Sequence, residues 1–202
     1  MKKLSLLVAA FCLVLLGKAA AQAPQFDMGF GYGTLIGQQA SDAIGSTDHF
    51  PQSIGGGGYP VFSGDFIFYK KYFGVGGEVA WRAHQNVDAF FQPYRPILTD
   101  FNGIYAPTIG KKAQAELQGG IGWETIRFYT PFFTCNTFGC TNFNSSNHFL
   151  GHVGGGIRWY VTNSVFLRPE AHFYFIHNNF EFSGPRASRY GVTLGYSFKQ
   201  QY

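Results

Sequence analysis

The chain ends in a stretch whose alternation decides the fold: Ser188-Arg-Tyr-Gly-Val-Thr-Leu-Gly-Tyr-Ser-Phe198. Every second residue from Tyr190 to Phe198 is apolar or aromatic, and the residues between them are small or polar. Because successive side chains of a β-strand point to opposite faces, this segment predicts a strand with one apolar face and one small, polar face. The same pattern recurs along most of the chain, so the sequence predicts an all-β fold.

Eight strands of this kind can be placed by the alternation. They are predicted at 26–36, 60–69, 73–82, 96–106, 113–125, 148–160, 165–175 and 188–198. The connections alternate in length, with the long ones at 37–58, 83–95, 127–147 and 176–187. An even number of strands, with short turns at one end and long loops at the other, is typical of outer-membrane barrels. The sequence therefore predicts an all-β, eight-stranded antiparallel up-and-down transmembrane β-barrel.

The first residues predict export. Met1-Lys2-Lys3 is followed by an apolar run of 13 residues from Leu4 to Leu16, and then by small residues as far as Ala21. This arrangement is typical of a secretory signal peptide, and the run is shorter than the roughly 20 residues of a spanning helix. We expect residues 1–21 to be a cleaved signal peptide and residues 22–202 to be the outer-membrane β-barrel domain, with an uncleaved anchor as the alternative.

The composition fits the same prediction. Charged residues make up 13% of the 202 residues and aromatic residues 19%, whereas an ordinary soluble domain has about 25% charged residues. Cleavage would lower the basic count from 15 to 12 against 11 acids, so the mature formal charge would be +1. This near neutrality predicts no nucleic-acid partner. Few charges and many aromatics favour a barrel in which lipid-facing and lumen-facing residues alternate.

The cysteines predict one disulfide. Cys12 lies in the expected signal peptide, which leaves Cys135 and Cys140 in the mature chain. Because export leads to an oxidising compartment, we expect these two residues to form a disulfide that closes a small loop. Two free thiols are the alternative, and the spacing is not a metal-binding signature.

The polar face distinguishes a membrane barrel from a soluble, lipocalin-like barrel, which shows the same alternation with its apolar face inward. A soluble barrel should carry many solvated Lys and Glu residues on that face, but here the face is mostly Gly with a limited set of charges of both signs. Because unpaired charges are costly in a narrow lumen, we predict a paired network there. Its expected members are Asp27, Asp65, Glu78, Arg82, Asp100, Glu116, Glu124, Arg158, Arg168, Glu170 and Arg189.

No motif predicts a catalytic, cofactor-binding or metal-binding site. His152 and His172 share the lumen parity, and we expect hydrogen-bonded interior histidines there, with a proton-linked or metal-binding role as the alternative. The glycine run 151–156 lies within a strand and lacks the Lys-Ser/Thr ending of a phosphate loop. His177 resembles the His of outer-membrane lipid A deacylases, which use a Ser two positions away. Asn179 occupies that position here, so the nucleophile is missing and we expect no enzyme.

The signal peptide, the eight strands, the alternating loop lengths and the aromatic-ended last strand together resemble the small eight-stranded outer-membrane barrels. These are the transmembrane domain of outer-membrane protein A and the opacity-type proteins. In that family the barrel-assembly machinery recognises the alternating aromatics of the last strand, which implies this role for Tyr190, Tyr196 and Phe198. The chain departs from the family pattern by continuing to Tyr202, which has the same parity and is a further candidate for the terminal signal.

The resemblance and the patterning together define the expected function. We expect an integral protein of the cell outer membrane with a structural or loop-mediated surface-interaction role in the envelope. The expected partners are outer-membrane lipids, the barrel-assembly machinery and an extracellular ligand of the loops. A narrow porin-like channel for small solutes or ions is the first alternative, and a lipid-modifying enzyme is the second.

Overall fold

The computed structural model describes residues 24–38, 56–68, 72–87, 92–137, 139–178 and 184–199. The expected signal peptide, Asn179 and Tyr202 lie outside these ranges, so the statements made about them stay predictions. Within the described ranges, no helix is long and apolar enough to cross a membrane.

In the part of the chain that the structure describes, nine strands follow one another. They are β1 (Gln25–Gly37), β2 (Gly57–Phe68), β3 (Phe73–Trp81), β4 (Asn86–Val87), β5 (Pro93–Tyr105), β6 (Ala113–Asn136), β7 (Gly139–Tyr160), β8 (Val165–Ile176) and β9 (Arg186–Lys199). Each long strand pairs antiparallel with its neighbours in the order β3-β2-β1-β9-β8-β7-β6-β5, and β3 also pairs with β5. The eight long strands therefore form a closed barrel, as predicted. The two-residue β4 pairs with the start of β5.

The first and last strands close the barrel along the whole length of β9. Their register runs from Gln25 opposite Lys199 to Gly37 opposite Ala187. The paired stretch includes the whole alternating segment 188–198, so this segment forms the strand that closes the barrel against β1. A closed barrel leaves no free sheet edge among its long strands.

Side-chain direction alternates along most of each long strand. Phe30 and Leu117 point outward and are each 61% exposed, whereas Asp27 and Glu116 point inward and are each 1% exposed. The apolar face is therefore the outer surface of the barrel and the polar face is the interior. This arrangement is the one predicted for a membrane barrel and the reverse of a soluble barrel.

The two ends of the barrel differ. One end of the barrel carries the strand ends Phe68, Phe73, Tyr105, Ala113, Tyr160 and Val165, and we call it the short-turn end. The other end carries the strand ends Gly37, Gly57, Trp81, Pro93, Ile176 and Arg186 together with the β6–β7 turn, and we call it the long-loop end. Gln25 and Lys199 lie at the short-turn end, as the predicted alternation of loop lengths requires.

The prediction of a long loop at 127–147 is wrong. β6 continues to Asn136 and β7 begins at Gly139, so this segment is a β-hairpin with a tight turn. The register slips between Tyr129 and Thr134, where β6 has more residues than the facing part of β7. Such a bulge interrupts the two-residue alternation by which a strand is recognised in the sequence. The predicted loop 83–95 likewise contains β4 and the first residues of β5.

Candidate functional site: the barrel interior and the β6–β7 hairpin

Three buried arginines organise the interior of the barrel, and Arg158 is the one nearest the short-turn end. It comes from β7, is 0% exposed, and reaches carboxylates from three other strands. Its guanidinium donates through Nη1 to Asp27, through Nη2 to Asp65 at 2.6 Å and through Nε to Glu116. One cation thus links β1, β2, β6 and β7 across the lumen. The planar fork of arginine suits several carboxylates at once better than the single ammonium of lysine.

Arg168 forms the next level of the network. Its Nε donates to Glu170 at 2.7 Å, and its Nη1 donates to Glu116 at 2.7 Å and to Asp65 at 3.0 Å. Nη2 donates to the hydroxyl of Ser63 at 3.2 Å. Arg158 and Arg168 therefore share Asp65 and Glu116, so these four side chains form one continuous cluster.

Arg189 lies further toward the long-loop end. Its Nη2 pairs with Glu78 and lies 3.5 Å from Glu170 Oε1, and its Nε donates to the hydroxyl of Tyr174 at 3.1 Å. Through Glu170, which Arg168 also contacts, Arg189 is joined to the cluster below it. The structure therefore brings nine of the predicted interior charges into contact or close to it: three arginines and the carboxylates of Asp27, Asp65, Glu78, Asp100, Glu116 and Glu170.

Two histidines connect this network to Asp100. Asn102 Nδ2 donates to Asp100 Oδ1 at 2.5 Å, and Asn102 Oδ1 lies 2.7 Å from His152 Nδ1. His152 Nε2 lies 2.7 Å from His172 Nδ1, and the two rings stack with their centroids 4.9 Å apart. The histidines are thus interior and hydrogen-bonded. Their chain ends at His172 Nε2, which lies 3.7 Å from Glu170 Oε1.

A glycine makes room for the histidine pair. Gly154 faces His172 across the β7–β8 ladder. A Cβ atom at this position would lie 2.6 Å from His172 Nδ1 and 3.0 Å from His152 Nε2. Only a residue without a side chain leaves both rings in place.

Arg82 and Glu124, the two remaining members of the predicted network, lie nearer the long-loop end. Glu124 is 0% exposed, and both residues interact electrostatically with Tyr59. The side chain of Arg82 approaches Gly57 at the start of β2. The structure therefore places this pair at a different level from the three central arginines.

An apolar layer fills the long-loop half of the interior, and the sequence reasoning missed it. Its side chains are buried and pack into one cluster, which consists of Leu35, Tyr59, Val61, Ala80, Tyr94, Leu98, Ile126, Leu150, Tyr174, Ile176 and Ala187. The sequence contains a signal for this layer, because its residues share the strand face of the inward-pointing charged residues. On β5, for example, Leu98 shares the inward parity of Asp100, and on β6 Ile126 shares that of Glu116. The polar parity thus becomes apolar toward one end of these strands.

The two halves together leave the interior closed to water at the level of the arginines. Arg158 and Arg189 are each 0% exposed and Arg168 is 1% exposed, although all three point into the lumen. The apolar layer covers them on the long-loop side. On the short-turn side, Gln25 Nε2 donates to Asp27 and to the Tyr160 hydroxyl, both at 2.9 Å.

The β6–β7 hairpin extends beyond the barrel at the long-loop end. β5 pairs with β6 only as far as Phe128, and past that point β6 and β7 pair with each other. Cys135 and Cys140 lie directly opposite one another and form a disulfide near the tip. Within the bulge, Thr130 Oγ1 donates to the carbonyl oxygen of Phe132 at 2.8 Å. The hairpin is therefore held by a covalent bond and by a local hydrogen bond.

Two phenylalanines in the bulge have no packing partners that cover them. Phe132 is 78% exposed and Phe133 is 70% exposed, the highest values among the large hydrophobic side chains that the structure describes. They lie past Phe128, where the pairing of β5 with β6 ends, and therefore outside the closed part of the barrel. An exposed pair of aromatic rings on an ordered hairpin is a feature of interaction surfaces.

Two arginines face outward just below this hairpin. Arg95 on β5 and Arg127 on β6 are direct cross-strand partners. Arg127 lies over the ring of Phe143 at 4.7 Å and Arg95 over the ring of Tyr129 at 5.9 Å. Like charges directly opposite each other destabilise a sheet, and within the described residues no hydrogen-bond acceptor reaches the Nε atom of either. This arrangement favours an anionic group from outside the chain.

The described aromatics expected to serve as the assembly signal lie on the outward face of β9. Tyr190, Tyr196 and Phe198 are 44%, 46% and 49% exposed. Phe198 packs against Phe26 of the neighbouring β1, with ring centroids 5.9 Å apart. Their orientation leaves them accessible from outside the barrel.

The comparisons with known proteins concern the fold. No protein-family model matches the sequence, and no curated protein matches it either. Solved structures do match. Ail, the attachment invasion locus protein of Yersinia pestis, in complex with the heparin analogue sucrose octasulfate, has a TM-score of 0.56 at 11% identity, covering 87% of this chain and 99% of that chain. Neisserial surface protein A has a TM-score of 0.58 at 8% identity, covering 88% and 97%.

A third match is the outer membrane protein OprG from Pseudomonas aeruginosa, with a TM-score of 0.53 at 12% identity, covering 89% of this chain and 98% of that chain. At these identities the likeness concerns architecture alone and carries no ligand or activity to this chain. Together with the closed barrel described above, it leads to one conclusion: the chain has the fold of the small eight-stranded outer-membrane β-barrels.

Proposed function

We propose that this chain is an integral outer-membrane protein with a non-conducting barrel, and that its function is to present the β6–β7 hairpin for interactions at the cell surface. The observation that carries the proposal is the combination of a closed interior with an ordered hairpin that exposes Phe132 and Phe133. The interior supplies rigidity but offers no passage, so the chemistry available to a partner lies in the hairpin.

The outer surface supports the membrane placement. The outward side chains form an apolar wall along the length of the strands, with Leu117, Ile121 and Leu194 at 61%, 60% and 56% exposure. At the end of this wall, the facing pair Arg95 and Arg127 has the position and charge to bind phosphates of outer-leaflet lipids. The outward aromatics of β9 are available to the barrel-assembly machinery before the barrel closes.

A narrow channel is the second candidate, because charged side chains line the interior. Against it, the guanidinium groups at the middle of the lumen are inaccessible to water, and an apolar layer lies above them. An eight-stranded interior is just wide enough for side chains to fill. The purified chain in planar bilayers should therefore show no discrete conductance steps. Reproducible steps that change in size in an Arg158→Ala variant would replace the proposed function by the channel.

The surface role is tested on cells that display the protein. Binding of these cells to immobilised sulfated polysaccharides and extracellular-matrix proteins is compared between the wild type and a Phe132→Ser/Phe133→Ser variant. We expect the variant to lose at least about fivefold in binding to the surface that the wild type prefers, because truncation of exposed aromatic anchors removes most of the binding energy of such contacts.

The control changes other exposed side chains of the same hairpin. An Asn144→Ala/Ser145→Ala variant alters two polar positions of β7 and should bind as the wild type does. Heat-dependent gel mobility verifies that each variant folds in the membrane. If cells with residues 130–142 deleted bind every surface as strongly as wild-type cells do, the hairpin is not the interaction element and the proposal fails.

A further inference from the structure

The protonation pattern of the histidine pair leaves an acceptor atom in the interior without a proton. Asn102 turns its amide nitrogen toward Asp100, because a carboxylate only accepts, and therefore presents its oxygen to His152 Nδ1. His152 Nδ1 must then carry the proton of that hydrogen bond. In a neutral imidazole the other nitrogen accepts, so His152 Nε2 accepts from His172 Nδ1 at 2.7 Å. His172 Nε2 keeps a lone pair.

That lone pair faces carboxylate oxygens. Glu170 Oε1 lies 3.7 Å from His172 Nε2, and Glu78 adds a third acceptor, so that one ligand atom from each residue lies within 4.8 Å of the others. Among the described residues, no hydrogen-bond partner reaches His172 Nε2 or Glu78 Oε2, although both atoms are buried. The residues themselves are between 1% and 7% exposed. Glu170 Oε1 accepts from the Thr193 hydroxyl at 3.1 Å. The other two acceptors are unsatisfied in a dry interior, which is unfavourable, and a cation between the three residues would satisfy both.

The neighbouring cation does not meet this need. Arg189 contacts the other oxygen of Glu78, Oε1, and lies 3.5 Å from Glu170 Oε1. Its Nε is used by the Tyr174 hydroxyl at 3.1 Å. The guanidinium therefore occupies one side of the group, while Glu78 Oε2 and His172 Nε2 stay available on another.

The charge of the whole interior points the same way. Within the described ranges, seven buried carboxyl groups share the interior with three buried guanidinium groups, those of Arg158, Arg168 and Arg189. The carboxylates are those of Asp27, Asp65, Glu78, Asp100, Glu116, Glu124 and Glu170, all at 7% exposure or less. Buried carboxyl groups that outnumber their cationic partners favour a further cation beside them.

We propose that Glu78, Glu170 and His172 form a buried binding site for one divalent transition-metal ion of the Zn²⁺ type. One imidazole nitrogen and two carboxylate oxygens are ligands that Zn²⁺ and its first-row neighbours accept, and three protein ligands leave a fourth position for water. Bonds of about 2.0–2.2 Å require the three ligand atoms to close in by about 1 Å from the present spacing, which small rotations of the two Glu side chains supply.

Neighbouring groups restrain two of the three ligands. His172 donates its other ring N–H to His152, the usual outer-shell arrangement for a metal-binding imidazole. Glu170 is fixed through its second oxygen, Oε2, by Arg168 at 2.7 Å. The apolar layer covers the site on the long-loop side. The ion must therefore enter before the barrel closes and should exchange slowly afterwards.

The site is tested on the chain purified without a histidine tag, unfolded in urea and refolded in detergent with or without Zn²⁺. The refolded protein is washed with chelator, and its zinc content is measured by mass spectrometry. We expect about one Zn²⁺ per wild-type chain, and less than about a tenth of that in His172→Gln and Glu78→Gln variants. A His148→Gln variant, which changes another buried interior histidine, should retain zinc as the wild type does.

Several results would overturn the proposal. Wild-type protein refolded with Zn²⁺ that keeps no metal after the wash would show that the three residues do not hold a metal ion. A His172→Gln variant that keeps as much zinc as the wild type would place the metal elsewhere. If the variants do not fold, wild-type protein refolded with Cu²⁺ decides. Its electron paramagnetic resonance spectrum should show coupling to one imidazole nitrogen, and a spectrum without nitrogen coupling contradicts the site.

Discussion

Replacement of Arg158 by methionine tests how far the interior depends on its ion pairs. Arg158 is 0% exposed and contacts Asp27, Asp65 and Glu116. In the Arg158→Met variant, Asp65 and Glu116 keep Arg168, at 3.0 and 2.7 Å. Asp27 keeps the hydrogen bond from the amide of Gln25, at 2.9 Å, but no guanidinium.

The expected loss follows from this count of partners. One buried carboxylate loses its only guanidinium, and breaking a buried ion pair from one side destabilises a protein by about 3–5 kcal/mol. We therefore expect the free energy of unfolding to fall by about that amount. Adding Asp27→Asn to Arg158→Met removes the stranded charge, so the double variant should recover at least about 2 kcal/mol relative to the single variant.

The assay is equilibrium urea unfolding in lipid vesicles, followed by the fluorescence of the tryptophans. An Arg186→Met variant is the matched control, because Arg186 is exposed at the start of β9 and its replacement should change stability by less than about 0.5 kcal/mol. The reasoning is refuted if Arg158→Met lies within about 1 kcal/mol of the wild type. It is refuted equally if the double variant is no more stable than the single one.

Three further predictions concern other parts of the molecule. Gly154→Ala should destabilise the barrel by about 1–3 kcal/mol, because the added methyl group overlaps the histidine rings. Gly64→Ala, where no atom lies within 4 Å of the added carbon, should be nearly neutral, and equal losses of stability in the two variants would contradict this packing. Replacement of Cys135 and Cys140 by serine should make the hairpin tip of the folded protein sensitive to protease and leave the thermal unfolding of the barrel unchanged. Protease resistance equal to that of the wild type would show that the disulfide does not order the tip. An Arg95→Gln/Arg127→Gln variant should lose most of its co-purifying phosphate-bearing lipid, measured by mass spectrometry, and unchanged lipid would exclude the proposed phosphate contact.

The two-residue alternation of apolar and polar residues was enough to predict most of the fold. It located the eight long strands and the inward direction of the charged residues, because both depend only on which face a side chain occupies. It failed at the β6–β7 hairpin, where extra residues between Tyr129 and Thr134 shift the parity and hide the strands on both sides. A register shift depends on the facing strand, which the local sequence does not contain.

The sequence predicts which residues face the interior but not which of them contact one another. The inward parity identifies Arg158 and Asp27 separately, although 131 residues separate them in the chain. Their contact depends on the closure of β1 against β9 and on the stagger of the strands, and neither follows from spacing. For the same reason the convergence of Glu78, Glu170 and His172 was invisible as a motif. The apolar layer was visible in the inward parity itself, in residues such as Leu98 and Ile126.

The central claim is that the apolar parity of every strand faces lipid and the polar parity faces a closed interior. A nitroxide scan of the final strand tests it most directly. Single cysteines are introduced at each position from 190 to 198 in a chain whose two native disulfide cysteines are serine, and the labelled protein is reconstituted in lipid vesicles. We predict high accessibility to oxygen in the lipid phase at 190, 192, 194, 196 and 198, and low accessibility to both oxygen and a water-soluble nickel reagent at 191, 193, 195 and 197. Accessibility without a two-residue period, or nickel access at the odd positions, would contradict the account.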